Sequence, residues 1–237
     1  MKYTVAILSA AAVMASTLAA SAATITIGGG LRSGGIGEFT GSGTPFLADY
    51  VAAGGYGVRN NAIITFCLER NEFVSLGATY DYVKNVGLDG SGATVSRAVN
   101  GGLGGDDGLG GDPISIATAY LYHQLVTGNL AALYDKTVVA DAQAFQRAVW
   151  HFEDEWILAD PSSNKFVQYA LDAGYDGSVN NDPTGMFPVY ALNLTQNGER
   201  KQDMLVWCPP GVPDGGLTLV MLGAGLTGLA FARRRLA

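Results

Sequence analysis

The spacing of apolar residues changes along the chain, and the changes divide it into blocks. From Asn61, Ala62, Ile64, Phe66 and Leu68 alternate with Ile63, Thr65 and Cys67, a period of two that predicts a strand with one strongly apolar face. Glu72 to Leu76 and Thr79 to Asn85, separated near Gly77, predict two further strands in a meander. Beyond the glycine-rich run at Asn100–Asp112 the period lengthens. Ile114, Ala117, Leu121 and Leu125 recur every three or four residues before Gly128, predicting a helix closed by a glycine. Asp141 offers an N-cap to a second helix, with Phe145, Val149, Phe152 and Trp156 on one stripe and Gln146, Trp150 and Glu153 on the next. A third helix is predicted from Ser163 to Ala173, with Phe166, Tyr169, Ala170 and Ala173 inward. Val189–Leu194 and Asp203–Trp207 return to alternation across Asn197-Gly198, a hairpin expected to rejoin the first sheet. Strands, a helical block and strands again predict an α+β fold: a β-sandwich or barrel with an inserted subdomain of about three helices.

Two glycine-rich stretches carry little periodicity. Gly28 to Gly57 reads as loops around one or two short edge strands. Asn100 to Asp112 begins like a calcium-binding nonapeptide repeat, but Gly108 stands where an apolar residue is needed and barely one repeat is present; a solvated loop is the better reading.

The chain ends change the domain boundaries and the charge. Lys2, an apolar run from Val5 to Ala20 and the small residues Ala20-Ser21-Ala22 read as a signal peptide over residues 1–22. An α+β domain is expected over 23–208, a linker and short motif over 209–216, and an apolar helix with an arginine stop over 217–237. The sixteen apolar residues from Leu217 to Ala232 are slightly short of the roughly 20 that span a bilayer, a deficit that tilt or snorkelling arginines make up. Between the two signals stand ten basic and twenty acidic residues, a net charge of −10. A domain this acidic, with no basic cluster to track phosphates, is not expected to bind nucleic acid or anionic headgroups.

Reactive side chains are scarce: Cys67, Cys208, His123 and His151 are the only cysteines and histidines. Their spacing matches no metal pattern, and neither a metal nor a cofactor is expected. A Cys67/His151 thiol hydrolase lacks a local signature. A Cys67–Cys208 disulfide is open to an exported protein and is the main alternative use of Cys67.

Two resemblances sharpen this picture. Val212-Pro213-Asp214-Gly215-Gly216, followed by the apolar stretch and Arg233-Arg234-Arg235, resembles the VPDSG variant of the bacterial PEP-CTERM sorting signals, with Gly215 where that variant has serine. The resemblance implies recognition by an exosortase, a membrane-embedded protease. It also implies transient or retained membrane insertion of the tail, and delivery to the cell surface or extracellular matrix.

The second pairs Phe66-Cys67-Leu68-Glu69 with Phe145-Gln146-Arg147-Ala148-Val149-Trp150. These segments resemble the strand and helix motifs of bacterial surface thioester domains, with Phe145 where that family has threonine. The likeness runs from about Asn61 to Trp207. It implies that the Cys67 sulfur joins the Gln146 side-chain carbonyl with loss of ammonia, in surroundings that include Glu69, Trp150, His151 and Glu153. Trp150 is expected to exclude water, and Glu69, His151 or Glu153 to exchange protons. The expected function is covalent adhesion to an amine-bearing surface macromolecule, a single use and not an enzymatic turnover. The alternative is a matrix or envelope protein in which no thioester forms.

Overall fold

The computed structural model describes residues 23–100, 102–106, 108–177 and 183–209. The expected signal peptide, the sorting motif Val212–Gly216 and the apolar tail lie outside them.

Elements follow in the order β1 (Thr24–Ser33), β2 (Ile36–Ser42), α1 (Leu47–Ala52), β3 (Val58–Arg59), β4 (Ala62–Thr65), β5 (Thr79–Lys84), β6 (Gly87–Leu88), β7 (Thr94–Val95), β8 (Arg97–Ala98), β9 (Asp112–Pro113), α2 (Ile116–Val126), α3 (Val139–Phe152), a 3-10 turn at Pro161–Ser163, α4 (Lys165–Asp172), β10 (Val189–Gln196) and β11 (Glu199–Trp207). Seven strands form one antiparallel sheet in the order β11-β10-β5-β1-β2-β4-β3; β6 with β7 and β8 with β9 make two small ribbons. The fold is α+β, with the helical block between β5 and β10 as expected.

Several sequence expectations are corrected. The glycine-rich run contains not short edge strands but β1 and β2, ten and seven residues long, in the middle of the sheet. Glycine is needed there because neighbouring atoms crowd in: a Cβ on Gly41 would lie 2.5 Å from Cδ1 of Ile25, and one on Gly30 would lie 2.8 Å from the Glu38 main-chain carbonyl oxygen. Glu72–Leu76 is irregular, with Phe73 77% exposed. Thr79–Lys84 is a strand, but it pairs with β1 and β10 and so makes no meander with β4. On the third helix, Phe166 and Ala170 are buried and Tyr169 stacks on Tyr120 at 5.6 Å, whereas Ala173 is exposed beyond the helix end.

The remaining boundaries follow local chemistry. The Ser115 hydroxyl caps α2 by accepting from the Thr118 N–H, and Gly128 follows the helix at φ +83°. Val138, not Asp141, precedes α3; Asp141 lies in its first turn and accepts from the Asp135 N–H at 2.8 Å. Asn197 and Gly198 both have positive φ and close the β10–β11 hairpin, whose register pairs Gln196 with Glu199. The glycine-rich loop is pinned as well as solvated: the Leu103 and Gly104 N–H groups both donate to Oε1 of Glu155.

The core lies between the sheet and the helices. Phe66, Phe145, Phe166, Tyr122 and Tyr50 are fully buried, with Phe66 and Phe145 ring centres 4.5 Å apart. Phe145, where the thioester family has threonine, therefore anchors α3 against the β4 segment.

Candidate functional site

The site begins where β4 changes partner. Its ladder with β2 ends at Thr65, paired with Phe39. The chain then runs along β11: the Leu205 N–H donates to the Phe66 carbonyl at 3.0 Å, the Leu68 N–H donates to the Asp203 carbonyl at 2.9 Å, and Cys67 stands opposite Met204. Backbone groups of successive strand residues point to opposite edges. The N–H and C=O of Cys67 therefore face away from β11, on the side where β2 has already stopped.

Gln146 fills that vacancy. Its Oε1 accepts from the Cys67 N–H at 3.0 Å and its Nε2 donates to the Cys67 carbonyl at 2.8 Å. The side-chain amide thus acts as one residue of a missing strand, and it is 1% exposed. The same N–H polarises the Gln146 carbonyl, leaving its carbon more electrophilic.

Cys67 also lines a cavity of about 300 Å3 with Arg32, Phe39, Arg70, Trp150, Trp156 and Gln202, among others. The rings of Trp150 and Trp156 stack at 6.0 Å. Burial first, and the adjacent Glu69 second, push the Cys67 thiol far above its ordinary range, with Arg32 opposing. The thiol is protonated at neutral pH.

Glu69 is itself buried. Its Oε2 accepts from the Asp203 N–H at 3.1 Å and from Nε2 of Gln202 at 3.2 Å. Burial and the neighbouring Asp203 carboxyl raise it strongly, so it carries its proton at neutral pH. Asp203, raised mainly by burial to about 6, accepts from the Asn100 N–H at 3.0 Å.

Two expected members of the site stand elsewhere. Glu153, the C-cap of α3 and seven residues after Gln146, accepts at Oε1 from the Ser115 N–H at 3.1 Å and hydroxyl at 2.8 Å, holding the start of α2. Burial raises Glu153 to about 7. His151, five residues after Gln146 and so on another face, packs on Phe152 at 5.4 Å, and burial lowers its pKa. Neither lines the cavity.

The disulfide alternative fails on distance. Cys67 faces Met204, and Cys208 follows four residues later with its N–H donating to the Pro188 carbonyl at 2.9 Å. Four strand residues span about 13 Å, against the roughly 7 Å between Cα atoms that a disulfide tolerates. Among the described residues the cysteines are not joined.

Sequence reasoning missed Arg32, Arg70, Gln202 and Asp203. Arg32 lies in a run that reads as loops, Arg70 is placed by its contact with Trp156, and Gln202 and Asp203 arrive only through the pairing of β11 with the continuation of β4, which leaves no local signature.

Among the described residues no helix is long and apolar enough to cross a membrane. The family model described as the VPDSG-CTERM motif matches residues 211–236. No curated protein and no solved structure matches the chain. The motif marks an exported surface protein sorted by an exosortase-type membrane enzyme.

Proposed function

We propose that Cys67 and Gln146 form an internal thioester, and that this exported protein uses it to couple covalently to an amine on another surface macromolecule. The carrying observation is the pair of hydrogen bonds that clamps the Gln146 carboxamide onto the backbone of Cys67 beside a cavity. Clamping replaces a bimolecular encounter by proximity.

In the first step the Sγ–Cδ bond forms and the Cδ–N bond breaks. The thiol proton leaves with the nitrogen as ammonia, so the raised pKa of Cys67 is no obstacle if the proton passes to Nε2 within the clamp. In the second step an incoming amine bonds to Cδ, the C–S bond breaks and a proton returns to sulfur. Trp150 and Trp156 limit water at the thioester. Neutral Glu69, whose carboxyl is close enough to raise the Cys67 thiol, is suited to donate a proton. The nucleophile is consumed, so this is single-use adhesion. In the same reading the sheet is a barrel closed at the Cys67–Met204 bridge.

A second reading rests on the same clamp. Gln146 satisfies two buried backbone groups exactly where a strand partner is missing, which by itself accounts for a glutamine there in a structural matrix or envelope protein. Intact mass separates the two: a deficit of about 17 Da, abolished by Cys67→Ala, supports the thioester, and the full calculated mass supports the structural protein.

A further inference from the structure

Six arginines lie among the described residues; two line the Cys67 cavity and a third approaches one of its lining rings. Arg32 and Arg70 line it, the first over the Phe39 ring at 5.1 Å and the second over the Trp156 ring at 4.1 Å. Arg147 approaches the same Trp156 ring at 5.8 Å, with its Nε buried and without a hydrogen-bond partner. Among the described residues none of the three guanidinium groups is in an ion pair. That is unexpected in a chain with 21 acidic residues against 14 basic ones, where carboxylates to pair with are plentiful. Elsewhere Arg59 is paired to Glu38 and Arg200 donates to the Val99 carbonyl at 2.8 Å.

Aromatic faces hold Arg32 and Arg70 in place while leaving their donors unused, an arrangement suited to receiving a planar anion two bonds at a time. One carboxylate, Glu72, lines the same cavity and complements an ammonium. Phe73, 77% exposed, adds an apolar contact at the rim. The volume of about 300 Å3 admits a side chain and its near neighbours, not a folded element.

We infer that the cavity recognises an acidic polypeptide segment, a lysine flanked by carboxylates, with Arg32 and Arg70 binding the carboxylates and Glu72 facing the ammonium. Its covalent outcome rests on the thioester reading; the binding step does not.

Two measurements keep these apart. Fluorescence anisotropy of a labelled Glu-Lys-Glu peptide and its Gln-Lys-Gln counterpart is followed on the mature Cys67→Ala protein, where no thioester can form. The acidic peptide should bind about ten-fold more tightly, with that advantage shrinking as salt rises and disappearing in Arg32→Gln/Arg70→Gln. Equal binding of the two peptides, or a preference that survives both arginine substitutions in a protein with an unchanged unfolding midpoint, overturns the proposal. If the double variant unfolds, Arg70→Gln alone, at an exposed position, must reduce the preference by at least about three-fold. In parallel, the unsubstituted protein is weighed before and after incubation with each peptide. A full starting mass sinks the thioester while leaving the anisotropy comparison decisive for the acidic site.

Discussion

In a Cys67→Ala background, replacing Gln146 with leucine should destabilise the domain by about 2–6 kcal/mol. The background prevents thioester formation, so the comparison isolates the clamp. Leucine approximates the volume of glutamine but makes neither hydrogen bond, leaving the backbone N–H and C=O of residue 67 without their partners at 3.0 and 2.8 Å. Both groups sit in a buried setting, with position 146 only 1% exposed. Each unpaired buried backbone group costs about 1–3 kcal/mol, which sets the range. With a urea m-value of about 2 kcal/mol/M, the midpoint should fall by about 1–3 M relative to Cys67→Ala alone. Gln143→Leu, which loses only an exposed bond to the Ser33 carbonyl, should change stability by less than about 0.5 kcal/mol. A midpoint loss below about 0.3 M for Gln146→Leu would show that these bonds do not hold the strand, refuting the geometry on which the site is built.

Three further outcomes follow. Glu69, Asp203, Glu153 and Asp112 are all raised by burial in the folded state, the last three to about 6, 7 and 9. Each binds its proton more tightly folded than unfolded, so its contribution is complete below the ordinary carboxylate range and is lost as pH rises through the folded values. Urea midpoints should therefore decline from about pH 5 to about pH 8, and a midpoint that climbs over that interval would contradict the assignment. Gly41→Ala should destabilise by about 1–3 kcal/mol, since its Cβ meets Ile25 Cδ1 at 2.5 Å; an unchanged melting temperature would mean the strands separate freely there. Glu155→Ala releases the Leu103 and Gly104 N–H groups and the Arg70 N–H, bonded to Oε2 at 3.0 Å, and should raise amide exchange at all three by about ten-fold or more. Unchanged exchange would mean the loop is held by other contacts.

The helical block and the last hairpin could be read from sequence because their signals are local. The stripe of Ala117, Leu121 and Leu125 ending at Gly128 marks α2, that of Phe145, Val149 and Phe152 marks α3, and Asn197-Gly198 specifies the turn. The first sheet was harder. Gly28, Gly30 and Gly41 look like loop residues, yet each lies in a strand because a neighbour occupies the space of its Cβ, a constraint set by tertiary contact. Phe73 and Val74 have strand-like composition but border the cavity without a ladder.

At the site, the motifs located Cys67, Gln146 and Trp150: Gln146 is hydrogen-bonded to the Cys67 backbone, and Cys67 and Trp150 line one cavity. Helical spacing also suggested Glu153, and the resemblance suggested His151. The first is taken up by the cap of α2, and the second lies on another face of α3. Asp203 and Gln202 reach Glu69 only because β11 pairs with the continuation of β4, a contact between residues more than 130 positions apart.

The central claim is tested most directly by the intact mass of the purified mature protein, with and without methylamine, beside Cys67→Ala. A thioester predicts a mass about 17 Da below the calculated value. Methylamine should raise that mass by about 31 Da, with the added group at Gln146, and the substituted protein should show no deficit and no methylamine addition. The full calculated mass in the unsubstituted protein, unchanged by methylamine, would contradict it and leave Gln146 as a structural clamp.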